Sequence, residues 1–210
     1  MRLGALFVET RDIPLKVILD NHLSYLPRLD YIELIVHEAN EPIIEYVMDV
    51  YNPKNIKVTA NHRLVRTIKD YNLLMTDSNL WERLSKKCDR VLVFQSDSCL
   101  LRAGIDNFYE YDYIGASWDF HPYVGNGGLS LRNPKVMAEI CTNYKYDGET
   151  NEDIYFARIV KENYYLAPIE QADKFSVETK FRLGSMGYHA IDKYLKRDQV
   201  QQIKKQYELR

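Results

Sequence analysis

Cysteine is scarce in this 210-residue chain, which has only Cys88, Cys99 and Cys141 and no CxxC pair. Three cysteines cannot all pair within one chain, so free thiols in a reducing, cytoplasmic setting are expected, and a cysteine-rich zinc site is not. The five histidines form no HExxH or similar spacing, which argues against zinc hydrolysis. Long hydrophobic runs are missing too. No stretch approaches the ~20 apolar residues that a membrane span needs. The opening "MRLGALFVETRD" is too short in its apolar part for a signal peptide. Neither charge sign dominates, with 28 Lys and Arg against 30 Asp and Glu for a net charge of −2. That balance offers no basic field to nucleic acid or to an anionic membrane. Glycine is sparse, and no strand runs into GxGxxG, so a dinucleotide fingerprint is absent. What is abundant is tyrosine, at 17 residues. Its apolar face and polar tip suit sugar and nucleotide surfaces, although most tyrosines fill a core and its rim.

The first half alternates strand and helix. "LGALFVET" (3–10), "DYIELIVHEAN" (30–40), "NIKVTAN" (55–61) and "RVLVFQ" (90–95) read as strands. Between them "IPLKVILDNHLSYLP" (13–27), "EPIIEYVMDVYN" (41–52) and two stretches within 63–87 read as helices, the last pair broken at "TDSN", where Asp77 or Ser78 is a candidate N-cap. This pattern predicts an α/β fold with a mostly parallel central sheet flanked by helices. Ligands of such sheets sit beyond the carboxyl ends of the strands. The second half predicts a strand at "GLSLRN", helices at "PKVMAEICTNY" (134–144) and "NEDIYFARIVKENYY" (151–165, N-cap Asn151), a strand at "KFSVET" (174–179), a loop at "GSMGYHAID" (184–192) and a basic, solvated terminal helix. The chain reads as one domain over 1–210: a nucleotide-binding half (1–102), an acceptor and catalytic half (103–192) and the terminal helix (193–210), which could lead into further domains.

Four constellations carry chemistry. Asp97 ends a buried strand within "QSDS", where hard divalent cations would find carboxylate oxygen, although Asp and Ser also simply make turns. "GNGG" (125–128) lets backbone approach a ligand closely, or makes a tight turn. Glu152 and Asp153 open a helix, either complementing its dipole or supplying a general base. His189 follows two glycines in the predicted loop, where an imidazole serves a metal or a phosphate.

Taken in order, "VFQSDSCLLR", "YDYIGASW", "GNGGLSLRN", "NEDIYFA", "FSVE" and "GYHA" resemble a family of uncharacterised-domain glycosyltransferases of the GT-A, nucleotide-sugar-using class. The sequence is also similar to the first domain of a multi-domain chlorella-virus glycosyltransferase acting on capsid glycans. The likeness spans about residues 3–190. It implies a GT-A, Rossmann-like fold and a DxD-like metal motif at Gln95-Ser96-Asp97. Gln95 stands where the first acid is usual, so Asp97 and His189 are the implied ligands of Mn²⁺ or Mg²⁺, held mainly through the donor. It places Glu9, Thr10, Arg11, Arg63, Asn72, Gln95 and Ser96 at the nucleotide, and Gly127 and Gly128 under the donor sugar. Asp153, in preference to Glu152, is the implied base, and Trp118 is either a sugar platform or a core residue.

The reaction implied is inverting transfer of a hexose or deoxyhexose, of glucose, galactose or rhamnose type, from a UDP-sugar to a glycan hydroxyl. The implied setting is cytoplasmic, the host cytoplasm if the chain is viral, with no nucleic-acid partner. Two rivals remain. A nucleotidyltransferase usually carries a basic glycine-rich loop after its first strand, and "VETRDIPLK" lacks the glycines. A non-catalytic nucleotide-sugar or carbohydrate-binding domain would account for Gln95.

Overall fold

A computed structural model describes residues 1–208. Nine strands and nine α-helices follow one another along them: β1 (Leu3–Glu9), α1 (Lys16–Ser24), β2 (Tyr31–Val36), α2 (Ile43–Tyr51), β3 (Ile56–Ala60), α3 (Ile68–Met75), α4 (Ser78–Lys87) and β4 (Arg90–Phe94) come first. There follow β5 (Ser98–Leu100), β6 (Tyr113–Ile114), β7 (Leu129–Arg132), α5 (Pro134–Asn143), α6 (Glu152–Asn163), α7 (Ile169–Phe175), β8 (Ser176–Val177), β9 (Gly187–His189), α8 (Ile191–Tyr194) and α9 (Arg197–Glu208).

Six strands form one sheet in the order β3-β2-β1-β4-β7-β6. The first four are parallel, and β7 runs antiparallel to β4. The expected α/β class, a mostly parallel sheet between helices, is therefore the observed one. Side chains alternate across β1, as the two-residue period of a strand requires. Leu3, Ala5 and Phe7 pack with Leu19 of α1 and Val47 of α2, whereas Leu6 and Val8 pack with Trp81 of α4 and Phe156 of α6. Both faces are buried, which is why β1 and β4 read as unbroken apolar runs. Asp77 caps α4, its side chain accepting the Asn79 N–H.

Several expectations need correction. The strand predicted over 30–40 ends at Val36 and turns into a short 3₁₀ segment, Glu38–Asn40. Lys174 and Phe175 belong to α7, so the strand predicted over 174–179 shrinks to Ser176–Val177. Asn151 makes no side-chain cap on α6. The loop expected at 184–192 contains β9, which joins β5 and β8 in a second, three-stranded sheet. The terminal helix is broken near Leu195, and its face is not all solvated: Val200 and Ile203 are buried against Leu101, Val177 and Ile191. The three-residue spacing of Val200 and Ile203 was masked there by the surrounding charge. Residues 209–210 of that predicted helix lie outside the described residues.

The second sheet positions the site. Its strand β9 pairs with β5, with Ser98 opposite His189. The Ala190 N–H donates to the Asp97 carbonyl at 3.0 Å. A histidine ninety residues away is thereby brought to the carboxyl end of β4.

Candidate active site

The carboxyl ends of β1 and β4 are tied together by one buried acid. Glu9, the last residue of β1, accepts from Arg11 Nε at 2.8 Å and Nη2 at 2.5 Å, and from Ser96 Oγ at 2.7 Å. Burial works to raise the Glu9 carboxyl, but these donors overcome it and hold it below its ordinary value. The Thr10 hydroxyl donates to the Val65 carbonyl and pins the segment leading into α3. Above these residues opens a cavity of about 310 Å³, lined among others by Arg11, Arg66, Tyr71, Asp97 and Lys193. Arg63 is exposed and does not line it. Arg66, three residues on, does.

His189 sits at the centre of the cleft floor. Its Nε2 lies 3.1 Å from Asp97 Oδ1 and 3.1 Å from Gln95 Oε1. Its Nδ1 lies 3.1 Å from Glu178 Oε1 and 3.1 Å from the Asn126 side-chain amide. Burial works against charge on this ring, yet Asp97 and Glu178 prevail and raise it to about 9. Asp97 also pairs with Lys193 Nζ at 2.9 Å. Partial burial opposes its ionisation, but His189 and Lys193 hold the carboxyl well below the usual carboxylate range. Against the loop predicted over 184–192, His189 is buried at the end of β9.

Two oxygens and one imidazole nitrogen, from Gln95, Asp97 and His189, thus converge on one point. Once His189 Nε2 gives up the proton that it directs at Asp97 and Gln95, that donor set fits Mn²⁺ or Mg²⁺ with phosphate oxygens completing the shell. Glu178 on the far ring nitrogen is the orienting partner that metal-binding histidines usually have.

A second cavity of about 270 Å³ adjoins the first, and Ile68, Tyr71 and Gln95 line both. Asp153, Asn126, Gly127 and Gly128 line its wall. The adjacent acids of α6 differ sharply. Glu152 is clamped by Arg132, with contacts of 2.6 Å to Nη1 and 3.0 Å to Nη2, and both side chains are buried. Its backbone N–H donates to Asn72 Oδ1 at 3.2 Å, so Asn72 buttresses the acids and does not line the first cavity. Among the described residues no cation pairs with Asp153. Its Oδ2 accepts the Gly127 N–H at 3.1 Å and its Oδ1 the Ile154 N–H at 2.8 Å. Burial, with the charge of Glu152 behind it, pushes this carboxyl up to about 7.

The glycines of "GNGG" make room for the protein's own side chains. A Cβ on Gly128 would lie 2.1 Å from His189 Nε2, one on Gly127 2.5 Å from Glu152 Oε1, and one on Gly125 2.5 Å from the Ala157 methyl. None of the three has a positive φ, so close approach and not turn conformation demands glycine here. Trp118 is no open platform. It is 2 % exposed, and its Nε1 donates to Glu178 Oε2 at 2.9 Å. Phe120, stacked on it, is the exposed ring.

Arg132, Glu178 and Lys193 were not singled out from the sequence. Lys193 lies in α8, directly after β9 and its left-handed Ala190, a turn that the predicted loop over 184–192 did not reveal. Arg132 looked like an ordinary strand end, and Glu178 like part of a strand.

A family profile described as a protein of unknown function (DUF5672) matches residues 55–189. No curated protein matches by sequence. Among solved structures, mouse xyloside xylosyltransferase 1 in its apo form is similar, with a TM-score of 0.54 and 11% identity over 90% of this chain and 97% of that one. The apo-form glycosyltransferase GlyE of Streptococcus pneumoniae TIGR4 gives a TM-score of 0.57 and 12% identity, covering 94% of this chain and 55% of that one. A 4-diphosphocytidyl-2C-methyl-D-erythritol synthase from Anaerococcus prevotii DSM 20548 gives 0.51 and 14%, covering 79% and 86%. At these identities the likeness shows the fold, which is that of the GT-A glycosyltransferases. The sources of these structures lend no support to the viral likeness.

Proposed function

We propose a function for this chain, which belongs to the family of proteins of unknown function DUF5672, from the chemistry of its cleft: inverting transfer of a hexose or deoxyhexose from a UDP-sugar to a glycan hydroxyl. The observation that carries the reading is Asp153. An acid raised to about 7, with no cation paired to it among the described residues, lines a cavity that adjoins a second one bearing Arg11, Arg66 and Lys193. Two of the similar structures are named as glycosyltransferases, which supports it.

In this reading the nucleotide lies over Glu9, Thr10 and Arg11, with the diphosphate beside the Lys193–Asp97 pair. Asp97 and His189, with Gln95 beside them, would hold Mn²⁺ or Mg²⁺, which when bound supplies positive charge to the diphosphate oxygens. Lys193 and Arg11 add fixed charge of the same sign. The sugar lies against Gly127 and Gly128, with its reacting carbon towards Asp153. Asp153 takes the proton of the acceptor hydroxyl as that oxygen attacks the face opposite the diphosphate. Glu152 cannot share this role while Arg132 holds both its oxygens. It keeps α6 in place and raises Asp153 through its charge.

The likeness to a diphosphocytidyl-methylerythritol synthase favours a second reading, nucleotidyl transfer. The segment after β1, "TRDIPLK", offers no glycine-rich loop for a triphosphate, and that reading leaves Asp153 without work. Calorimetric titration with UDP, CTP and Mn²⁺ tests the choice. Saturable Mn²⁺-dependent UDP binding is expected. Binding of CTP alone, or of neither, contradicts the proposal.

A further inference from the structure

We infer that His37, Glu38 and His62 form a binding site for a divalent transition metal such as Zn²⁺, separate from the cleft. The fold brings the three together. Strands β2 and β3 run parallel, with Val36 opposite Ala60 as their last pair. The Asn61 N–H continues the ladder onto the Val36 carbonyl at 2.9 Å. The chain therefore leaves both strands side by side, about 4.8 Å apart. The His62 backbone N–H fixes the Glu38 carboxylate at 3.0 Å, and His62 Nδ1 lies 2.8 Å from Glu38 Oε2. The rings of His37 and His62 have centroids 5.3 Å apart.

One ligand atom from each of the three residues lies within 4.8 Å of the others, and among the described residues no other group of three His, Cys, Asp or Glu converges so. Two imidazoles and a carboxylate suit Zn²⁺, Co²⁺ or Ni²⁺, with water in the open positions, and suit Mg²⁺ and Ca²⁺ poorly.

In the metal-free protein His37 Nδ1 accepts the Ala39 N–H at 3.1 Å. Metal binding ends that bond by either route. Bound at Nδ1, the metal takes the lone pair; bound at Nε2, it leaves the proton on Nδ1. The metal would also fasten the end of β2 to the segment that carries Val65, Arg66 and Thr67 into the larger cavity.

The test is calorimetric titration of the full chain, stripped with EDTA, with Zn²⁺ as the probe. Visible absorption of the Co²⁺ form provides a second readout. Saturable Zn²⁺ binding is expected in wild type and in Asp97→Asn. In the His37→Ala/His62→Ala double variant it should weaken at least tenfold, since even outer-shell changes around metals cost about 10–100-fold. The same double variant should lose the Co²⁺ ligand-field bands. All three side chains are exposed or half-exposed, so unchanged circular dichroism verifies the fold. Absence of saturable binding in wild type overturns the inference. So does affinity that falls less than tenfold in the double variant, or that is lost in Asp97→Asn.

Discussion

Glu152 and Asp153 are adjacent in sequence and opposite in state: the first is locked by Arg132 at 2.6 Å, and the second accepts from two backbone N–H groups, Gly127 and Ile154. This division assigns support to one carboxylate and chemistry to the other. Asp153→Asn keeps the shape and one of the two backbone N–H contacts, from Gly127 or Ile154, but cannot take a proton. Transfer should fall about 10²–10⁴-fold, the usual contribution of a general base, while UDP affinity survives. A variant that transfers at the wild-type rate removes Asp153 from the mechanism.

The same group sets a pH dependence. Asp153 acts only when ionised, so kcat/KM should rise with pH through about 7 and then level. A profile that is flat from pH 6 to 8 contradicts the assignment. Stability carries the opposite sign. The folded carboxyl is raised above its unfolded value of about 3.9, so the fold binds the extra proton between the two values. Its contribution is full below about pH 4 and is lost as pH rises through about 7. Asp153→Asn escapes that loss. Urea denaturation should show it gaining on wild type by a few kcal/mol between pH 4 and pH 8.

Glu152→Gln should behave otherwise. It strands a fully buried Arg132 guanidinium without its anion. Breaking a buried pair from one side costs about 3–5 kcal/mol. A urea midpoint close to wild type would show that Arg132 finds another partner.

Asp97→Ala should abolish metal-dependent UDP binding, and calorimetry with and without Mn²⁺ reads this directly. Gly128→Ala reaches the same end by a steric route, since its Cβ would fall 2.1 Å from His189 Nε2. Undiminished Mn²⁺-dependent affinity in either variant removes His189 and Asp97 from the donor site.

The parallel sheet was legible because β1 and β4 are buried on both faces and so carry unbroken apolar runs. Asp97 and Asp153 were legible as polar residues where such strands and helices meet solvent. What escaped was pairing across long sequence distance. Nothing in "GYHA" tells that β9 pairs with β5, which buries His189 against Glu178. Nothing in "SLR" tells that Arg132 clamps an acid twenty residues on. Trp118 is the core residue of its two alternatives, and the protein's own side chains crowd the "GNGG" glycines, because a small residue beside a large one signals close packing but not which neighbour fills the space. Here Trp118 and Ala157 fill it over Gly125, and His189 over Gly128.

The most direct measurement is UDP release from UDP-glucose, UDP-galactose and UDP-rhamnose with Mn²⁺, by wild type and by Asp153→Asn. Slow release without acceptor from at least one donor is expected of wild type, falling about 10²-fold or more in the variant. A protein that binds UDP with Mn²⁺ yet releases none from any donor, or one whose release ignores Asp153, would contradict glycosyl transfer by this site.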